Sequence, residues 1–218
     1  MRGILVDWIV EAHLKFRLRE ETLFLAMSIL DRFLARKQVL KYNLQLVGAT
    51  SLFIACKFEE ILPPDNKSFI RMSSYTYQVG DLVRAEAEIL EELDYRVLTP
   101  IPLLFLQRYA IALNAEAKIR CLALYLVQLS MLCSKQSCIR GSLRATAALY
   151  LAHKILKKSL DLHKLSVKSK YGEQSIRRVA RELVILFITA GRSGLTAVRS
   201  KFSMPAFSEV AKIKLDAN

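Results

Sequence analysis

Apolar residues point in almost every direction round the first sixteen positions, MRGILVDWIVEAHLKF. At 100° per residue, Met1, Leu5, Trp8 and Ala12 share one stripe and Ile4, Ile9 and Phe16 lie beside it. Val6, Val10 and Leu14 continue round the far side. Only Asp7, Glu11 and Lys15 form a polar strip, with Glu11 and Lys15 as an i,i+4 pair. A helix so patterned needs neighbours on several sides, so the stretch reads as the central helix of a bundle. A central helix at residue 1 further predicts that the sequence is a shortened piece with a segment upstream.

The rest of the chain repeats the helical period, and no strand alternation survives it. A second helix runs from Glu20 to about Lys37. In it Leu23, Ala26, Met27, Leu30, Phe33 and Leu34 recur at helical spacing, with acids at its start and bases at its end. A third covers about 43–60, where Gly48, Ala49 and Ala55 permit close helix approach and Pro63-Pro64 enforces a stop. A short helix at 66–72, capped by Asn66 or Ser68, and a fifth at 78–93 complete a first set. Pro100 and Pro102 mark a boundary. Helical patterns resume at about 102–113, 115–134, 139–158, 160–168 and 173–190. The order of lengths runs roughly as in the first set, which hints at a duplicated five-helix unit with little residue-level similarity between its halves. The sequence therefore predicts an all-α protein with domains at 1–96 and 97–190. A basic, partly irregular tail is expected over 191–218.

A chain of 218 residues that is 53% hydrophobic, with 7 Gly and 5 Pro, can bury a core. Its longest apolar runs are too short and interrupted to span a membrane, and no signal peptide is visible. Cys56, Cys121, Cys133 and Cys138 lack zinc or redox spacing and are expected as buried free thiols in a reducing compartment. His13, His153 and His163 are scattered and predict no metal site. The net charge of +13 is uneven: residues 1–100 hold 13 Lys and Arg against 14 Asp and Glu, and residues 101–218 hold 20 against 6. The second half therefore faces an acidic partner or carries a solvated basic surface.

Catalytic chemistry is missing from the pattern. There is no phosphate-binding glycine loop, His-Glu-x-x-His or nucleophile elbow. Adjacent carboxylates such as Glu59-Glu60 and Glu91-Glu92 point about 100° apart on a helix and cannot converge as an acid/base pair. Function is expected in surfaces rather than in catalysis, with no cofactor.

Three blocks in order, MRGILVDWIVE, ETLFLA…DRFL and LQLVGATSLFIACKFEEILPP, closely resemble the cyclin box. HLKFRLREETLFLA with SILDRFL looks most like the mitotic B-type members. The resemblance is strong over 1–110 and rests mainly on helix order over 111–190. It implies two tandem five-helix repeats and a regulatory subunit that binds and activates a cyclin-dependent Ser/Thr kinase in G2 and mitosis, in nucleus and cytoplasm. It also implies a kinase-gripping helix before this box and, in mitotic members, an upstream destruction signal; neither lies in this sequence.

Residue by residue, the resemblance assigns Lys57 and Glu86 to polar kinase contacts and Ile54, Phe58, Leu90 and Tyr95 to apolar ones. Read without it, the four apolar residues would be core and the two charges solvated. Arg2 and Asp31 match a structural ion pair joining the first two helices. Met1, Ile4, Leu5, Trp8, Leu44 and Gln45 match a patch that docks substrates or inhibitors carrying Arg-x-Leu, with Glu11 as the acidic partner for the Arg. The same stripe could instead be wholly buried. Gly3 stands where the motif usually has Ala, at a cost of about 1 kcal/mol in helix propensity.

A competing reading is a nucleic-acid or transcription-complex module, because the transcription factor IIB core also uses two such repeats and the second half is basic. Lys57 with Glu86 and the MRGIL…W motif favour the kinase partner. A non-activating scaffold is a third reading. The basic groups Lys154, Lys157, Lys158 and Arg177, Arg178, Arg181 are candidates for recruiting acidic or phosphorylated partners.

Overall fold

The computed structural model describes residues 1–214 and divides into two compact units, Met1–Ile101 and a second that begins at Pro102. Among the described residues there is no strand, and no helix is long and apolar enough to cross a membrane.

The first unit contains α1 (Arg2–Lys15), α2 (Glu20–Arg36), α3 (Leu44–Glu59), α4 (Asn66–Met72) and α5 (Val79–Glu92). Its central helix is α3, not α1. Every residue from Val47 to Cys56 is buried, and α1, α2 and α5 all pack against it. The small residues explain the choice. A Cβ on Gly48 would stand 2.7 Å from Leu5 Cδ1 and 3.2 Å from Ile9 Cδ1, so α1 lies against bare α3 backbone. Helix α1 buries Leu5, Val6, Ile9, Val10 and Ala12 but leaves Met1 and Ile4 in solvent. Asp7, expected on a polar strip, is buried.

Arg2 and Asp31 form the expected ion pair, only partly buried, with Arg2 Nη2 donating to Asp31 Oδ2 at 3.0 Å. The cap of α4 is Asp65 rather than Asn66 or Ser68. Its carboxylate accepts the Ser68 N–H at 2.9 Å, and its bonds to Ser68 hold its pKa below the usual carboxylate value. Phe69 on α4 meets Phe53 and Phe16, each at 5.1 Å between ring centroids.

The second unit contains α6 (Pro102–Ala112), α7 (Ala117–Met131), a single turn α8 (Ser134–Ser137), α9 (Gly141–Ile155), α10 (Leu162–Ser169), α11 (Glu173–Thr189) and α12 (Ala197–Phe202). Here α9 is central, buried throughout from Ala145 to His153 and packed on α6, α7, α10 and α11. Apart from α8 and α12, the order reproduces that of the first unit.

The segment after residue 190 is not a loose tail. Helix α12 and the 3-10 turn Val210–Lys212 fold back on α7, and the turn Pro205–Phe207 packs on α12. Phe202 is fully buried, 5.2 Å from the Tyr125 ring and 4.7 Å from Phe207. Lys201 is buried as well and donates to Gln128 Oε1 at 3.2 Å. The domain expected to close at residue 190 therefore includes this segment. Residues 215–218 of the expected tail lie outside the described residues.

The cysteines differ from expectation. Only Cys56 is buried; Cys121 and Cys133 are partly exposed and Cys138 is exposed, all as free thiols. Burial pushes the Cys56 thiol up to about 12, with a smaller push from Glu60.

Candidate functional site

Two surfaces of the first unit gather the residues that the sequence singled out. The first lies along α3 and α5. Lys57, in the last turn of α3, forms an ion pair with Glu86 of α5, and its Nζ sits 4.4 Å from the centroid of the Phe53 ring. That ring holds the ammonium over an apolar face. An ammonium has three donors and a carboxylate about four acceptor sites. One contact between them leaves both able to bond a further backbone.

Around this pair the apolar candidates divide. Phe58 is 52% exposed and Tyr95 67% exposed, and Leu90 is partly covered. Ile54 is 4% exposed and belongs to the core, which corrects its assignment as a surface contact. Ile54 and Phe58 lie one turn apart on the same face of α3, and Ile54 is covered whereas Phe58, in the last turn, is not.

Tyr95 owes its position to α2. Ser28, Arg32 and Arg36 lie four residues apart on one face of that helix. Ser28 bonds the Thr99 hydroxyl at 2.6 Å, Arg32 donates to the Val97 carbonyl at 3.3 Å, and Arg36 bonds the Glu92 carbonyl and lies 3.5 Å from Asp94. Burial lowers the Arg32 pKa, as does neighbouring Arg36. Between these anchors Asp94 and Tyr95 adopt φ of 52° and 56°, a left-handed conformation that costs a non-glycine residue on the order of 1–3 kcal/mol. The segment is thus held open with Tyr95 outward.

Sequence reasoning missed Leu98, three residues on and exposed, and Ile61 and Leu62, 96% and 89% exposed directly after α3. Their signal was available: adjacent large apolar residues before Pro63-Pro64, where no helix can bury them.

The second surface is a groove of about 210 Å³ between α1 and the start of α3, lined by Met1, Ile4, Leu5, Trp8, Lys41, Leu44 and Gln45. The structure brings together six of the seven residues named for a docking patch. Leu5 forms the buried floor; Met1 and Ile4 are exposed on the rim. Glu11 is exposed on α1 but is not among the lining residues. Lys41 lines the groove and was not anticipated; it comes from the 3-10 turn Lys41–Asn43 that leads into α3.

The basic groups of the second unit are partly engaged at home. Lys158 bonds Glu116 at 2.8 Å, and Arg177 pairs with Glu173 at 3.3 Å and donates to the Tyr150 hydroxyl at 3.2 Å. No group of His, Cys, Asp and Glu among the described residues could hold a metal ion.

Comparison with known proteins accords with this geometry. Residues 1–98 match the model "Cyclin, N-terminal domain" and residues 100–216 the model "Cyclin, C-terminal domain". Cyclin-B2-2 of Oryza sativa subsp. indica is 34% identical over 97% of this chain and 51% of its own length. The G2/mitotic-specific cyclin-B of Patella vulgata is 37% identical over 98% of this chain and 52% of its own. The chain spans about half the length of the curated relatives it matches. Among solved structures, a viral cyclin from herpesvirus saimiri overlays with a TM-score of 0.75 at 21% identity, covering 85% of each chain. A chain of the yeast RNA Pol II CTD kinase complex CTDK-1 overlays with a TM-score of 0.72 at 14% identity, covering all of this chain and 84% of its own. These two likenesses concern the fold.

Proposed function

The chain belongs to the cyclin family, with both cyclin domains, and on that premise we propose that it is the regulatory subunit that binds and activates a cyclin-dependent Ser/Thr protein kinase in G2 and mitosis. It is a regulator, not itself an enzyme, and on this reading it acts in nucleus and cytoplasm. One observation carries the proposal: the Lys57–Glu86 pair is set beside exposed Phe58 and Tyr95 on the α3–α5 face.

The mechanism follows from what a kinase lacks. Phosphoryl transfer needs the kinase's Lys–Glu ion pair and its Mg²⁺-binding Asp in place. The α3–α5 face holds inward the kinase helix that carries that Glu. Phe58, Leu90 and Tyr95 take its apolar side chains, and Lys57 and Glu86 bond its backbone. Moving a kinase from 1:99 to 99:1 active requires binding the active state more tightly by about 5.5 kcal/mol. A desolvated aromatic cluster with a preset polar pair is suited to supply that difference.

The α1–α3 groove docks Arg-x-Leu segments of substrates or inhibitors. The Leu enters among Ile4, Leu5, Trp8 and Leu44, Gln45 bonds the peptide backbone, and Glu11, three residues beyond Trp8, takes the Arg. Calorimetric titration of a mitotic cyclin-dependent kinase tests the main reading. Phe58→Asp and Tyr95→Asp, both at exposed positions, should each weaken binding more than tenfold, whereas Tyr42→Asp on another exposed site should not. Equal affinity for all three variants would refute the assignment of this face.

A further inference from the structure

A second cavity, of about 320 Å³, opens in the second unit between α7, α11 and α12, and the kinase reading does not use it. Its base is apolar: the Tyr125 and Phe187 rings stand edge to face at 5.9 Å, with Ile188 and Ile213 at the sides. Its charged lining groups are Arg199 and Lys214, and no carboxylate is among the lining residues. Arg199 lies over Gly191, where a Cβ would stand 3.6 Å from its Cζ. The bare backbone thus lets the guanidinium lie close beside the mouth. Burial pushes the Tyr125 phenol up to about 12, partly offset by Arg199. A buried hydroxyl and two cations therefore flank an apolar slot whose described lining residues include no carboxylate. Apolar surface continues outside it, because Ile185, one turn before Ile188 on α11, is exposed.

We propose that this cavity is a docking site for a short acidic peptide segment of a partner protein. It takes a large apolar side chain between Phe187, Ile188 and Ile213, and an adjoining Asp or Glu carboxylate between Arg199 and Lys214. Charge complementarity selects that occupant. The cavity's own charges are positive, and residues 101–218 carry 20 Lys and Arg against 6 Asp and Glu, a field that steers acidic partners inward. A peptide fits better than a free small acid because the slot is open and runs on to Ile185, so a chain can continue across it.

The test is fluorescence anisotropy on the full chain. The probe is a short fluorescein-labelled peptide with Phe and Leu flanked by Asp and Glu. Saturable binding is expected, and Arg199→Gln should weaken it by about tenfold or more, the loss typical of a charge-assisted hydrogen bond. Ile188→Ala should weaken it several-fold. Lys164→Gln with Lys168→Gln, exposed on α10, which does not line the cavity, should leave it unchanged. The same peptide with Asn and Gln in place of its acids, or with Ala in place of Phe and Leu, should bind poorly.

Saturation absent below about 1 mM overturns the proposal. So does equal binding of the neutral peptide, or indifference to Arg199→Gln with helical content unchanged. Duplex DNA binding that responds to Arg199→Gln while the peptide stays free would assign the cations to nucleic acid instead. Binding that appears only after removal of residues 215–218 would assign the cavity to the chain's own carboxy-terminal residues. None of these measurements involves the kinase, so they stand or fall independently of it.

Discussion

Replacing Gly48 by Ala adds one methyl at the closest approach of α1 to α3. The new Cβ would stand 2.7 Å from Leu5 Cδ1 and 3.2 Å from Ile9 Cδ1, both on side chains with almost no free surface. Ile9 is fully buried and has no free space, and Leu5 can give way only into the groove that it floors, so the methyl is fitted by filling the groove or by moving α1 outward. Overpacking of this kind costs about 1–3 kcal/mol. Against it stands the helix propensity of Ala, favourable by about 0.8–1.0 kcal/mol over Gly.

Gly80 isolates the two effects. It lies in the first turn of α5, where a Cβ would meet only Arg84 Nη1 at 3.7 Å, an ordinary contact. Gly80→Ala should stabilise the unit by up to about 1 kcal/mol. Gly48→Ala should destabilise it, and the two variants should differ by about 1–3 kcal/mol. Trp8 is the only tryptophan and sits on α1, so its fluorescence in a urea titration follows this unit alone. Because Leu5 is also the floor of the 210 Å³ groove, Gly48→Ala should weaken groove ligands as well. A Gly48→Ala variant as stable as Gly80→Ala, with an unaltered groove, would refute the close packing.

Two further outcomes follow. Trp8→Ala should lower the affinity of an Arg-x-Leu peptide more than tenfold in an anisotropy titration while leaving kinase binding intact; a parallel loss of both would mean that α1 had simply unfolded. Iodoacetamide at pH 8 should label Cys138 readily and Cys56 hardly at all by mass spectrometry. Raising the pH to 10 should not release Cys56, because burial keeps its thiol protonated until about pH 12.

The sequence showed helix limits well wherever chemistry enforces them, as at Pro63-Pro64 just after α3. It was misleading about which helix is central. Residues 1–16 are apolar on nearly all sides, but pattern cannot tell a surface covered by neighbours from one left as a groove. The small residues of α3, visible from the start, were the better guide, since the helix at the middle must be approached closely from several sides.

Ile54 and Phe58 show the same limit: both are large, apolar and one turn apart on α3, and the pattern cannot tell that the first is covered and the second, in the last turn, is exposed. The segment after residue 190 hid its role because Phe202 ends a six-residue helix and Val210 lies in a 3-10 turn, both too short to set a period. Lys41 escaped notice because a cation in a connector looks solvated, and only the fold brings that connector to the rim of the groove. Cys138 was misjudged for the converse reason: its apolar neighbour Ile139 does not continue a buried face there.

The most direct test of the central claim is phosphorylation of a histone-type peptide by an activation-loop-phosphorylated mitotic cyclin-dependent kinase mixed with this chain. Lys57→Ala with Glu86→Ala runs alongside, after circular dichroism has matched its helical content to the wild type. The account predicts strong stimulation by the wild type, lost in the double variant. Equal stimulation by both chains, or kinase binding without any stimulation, would contradict it.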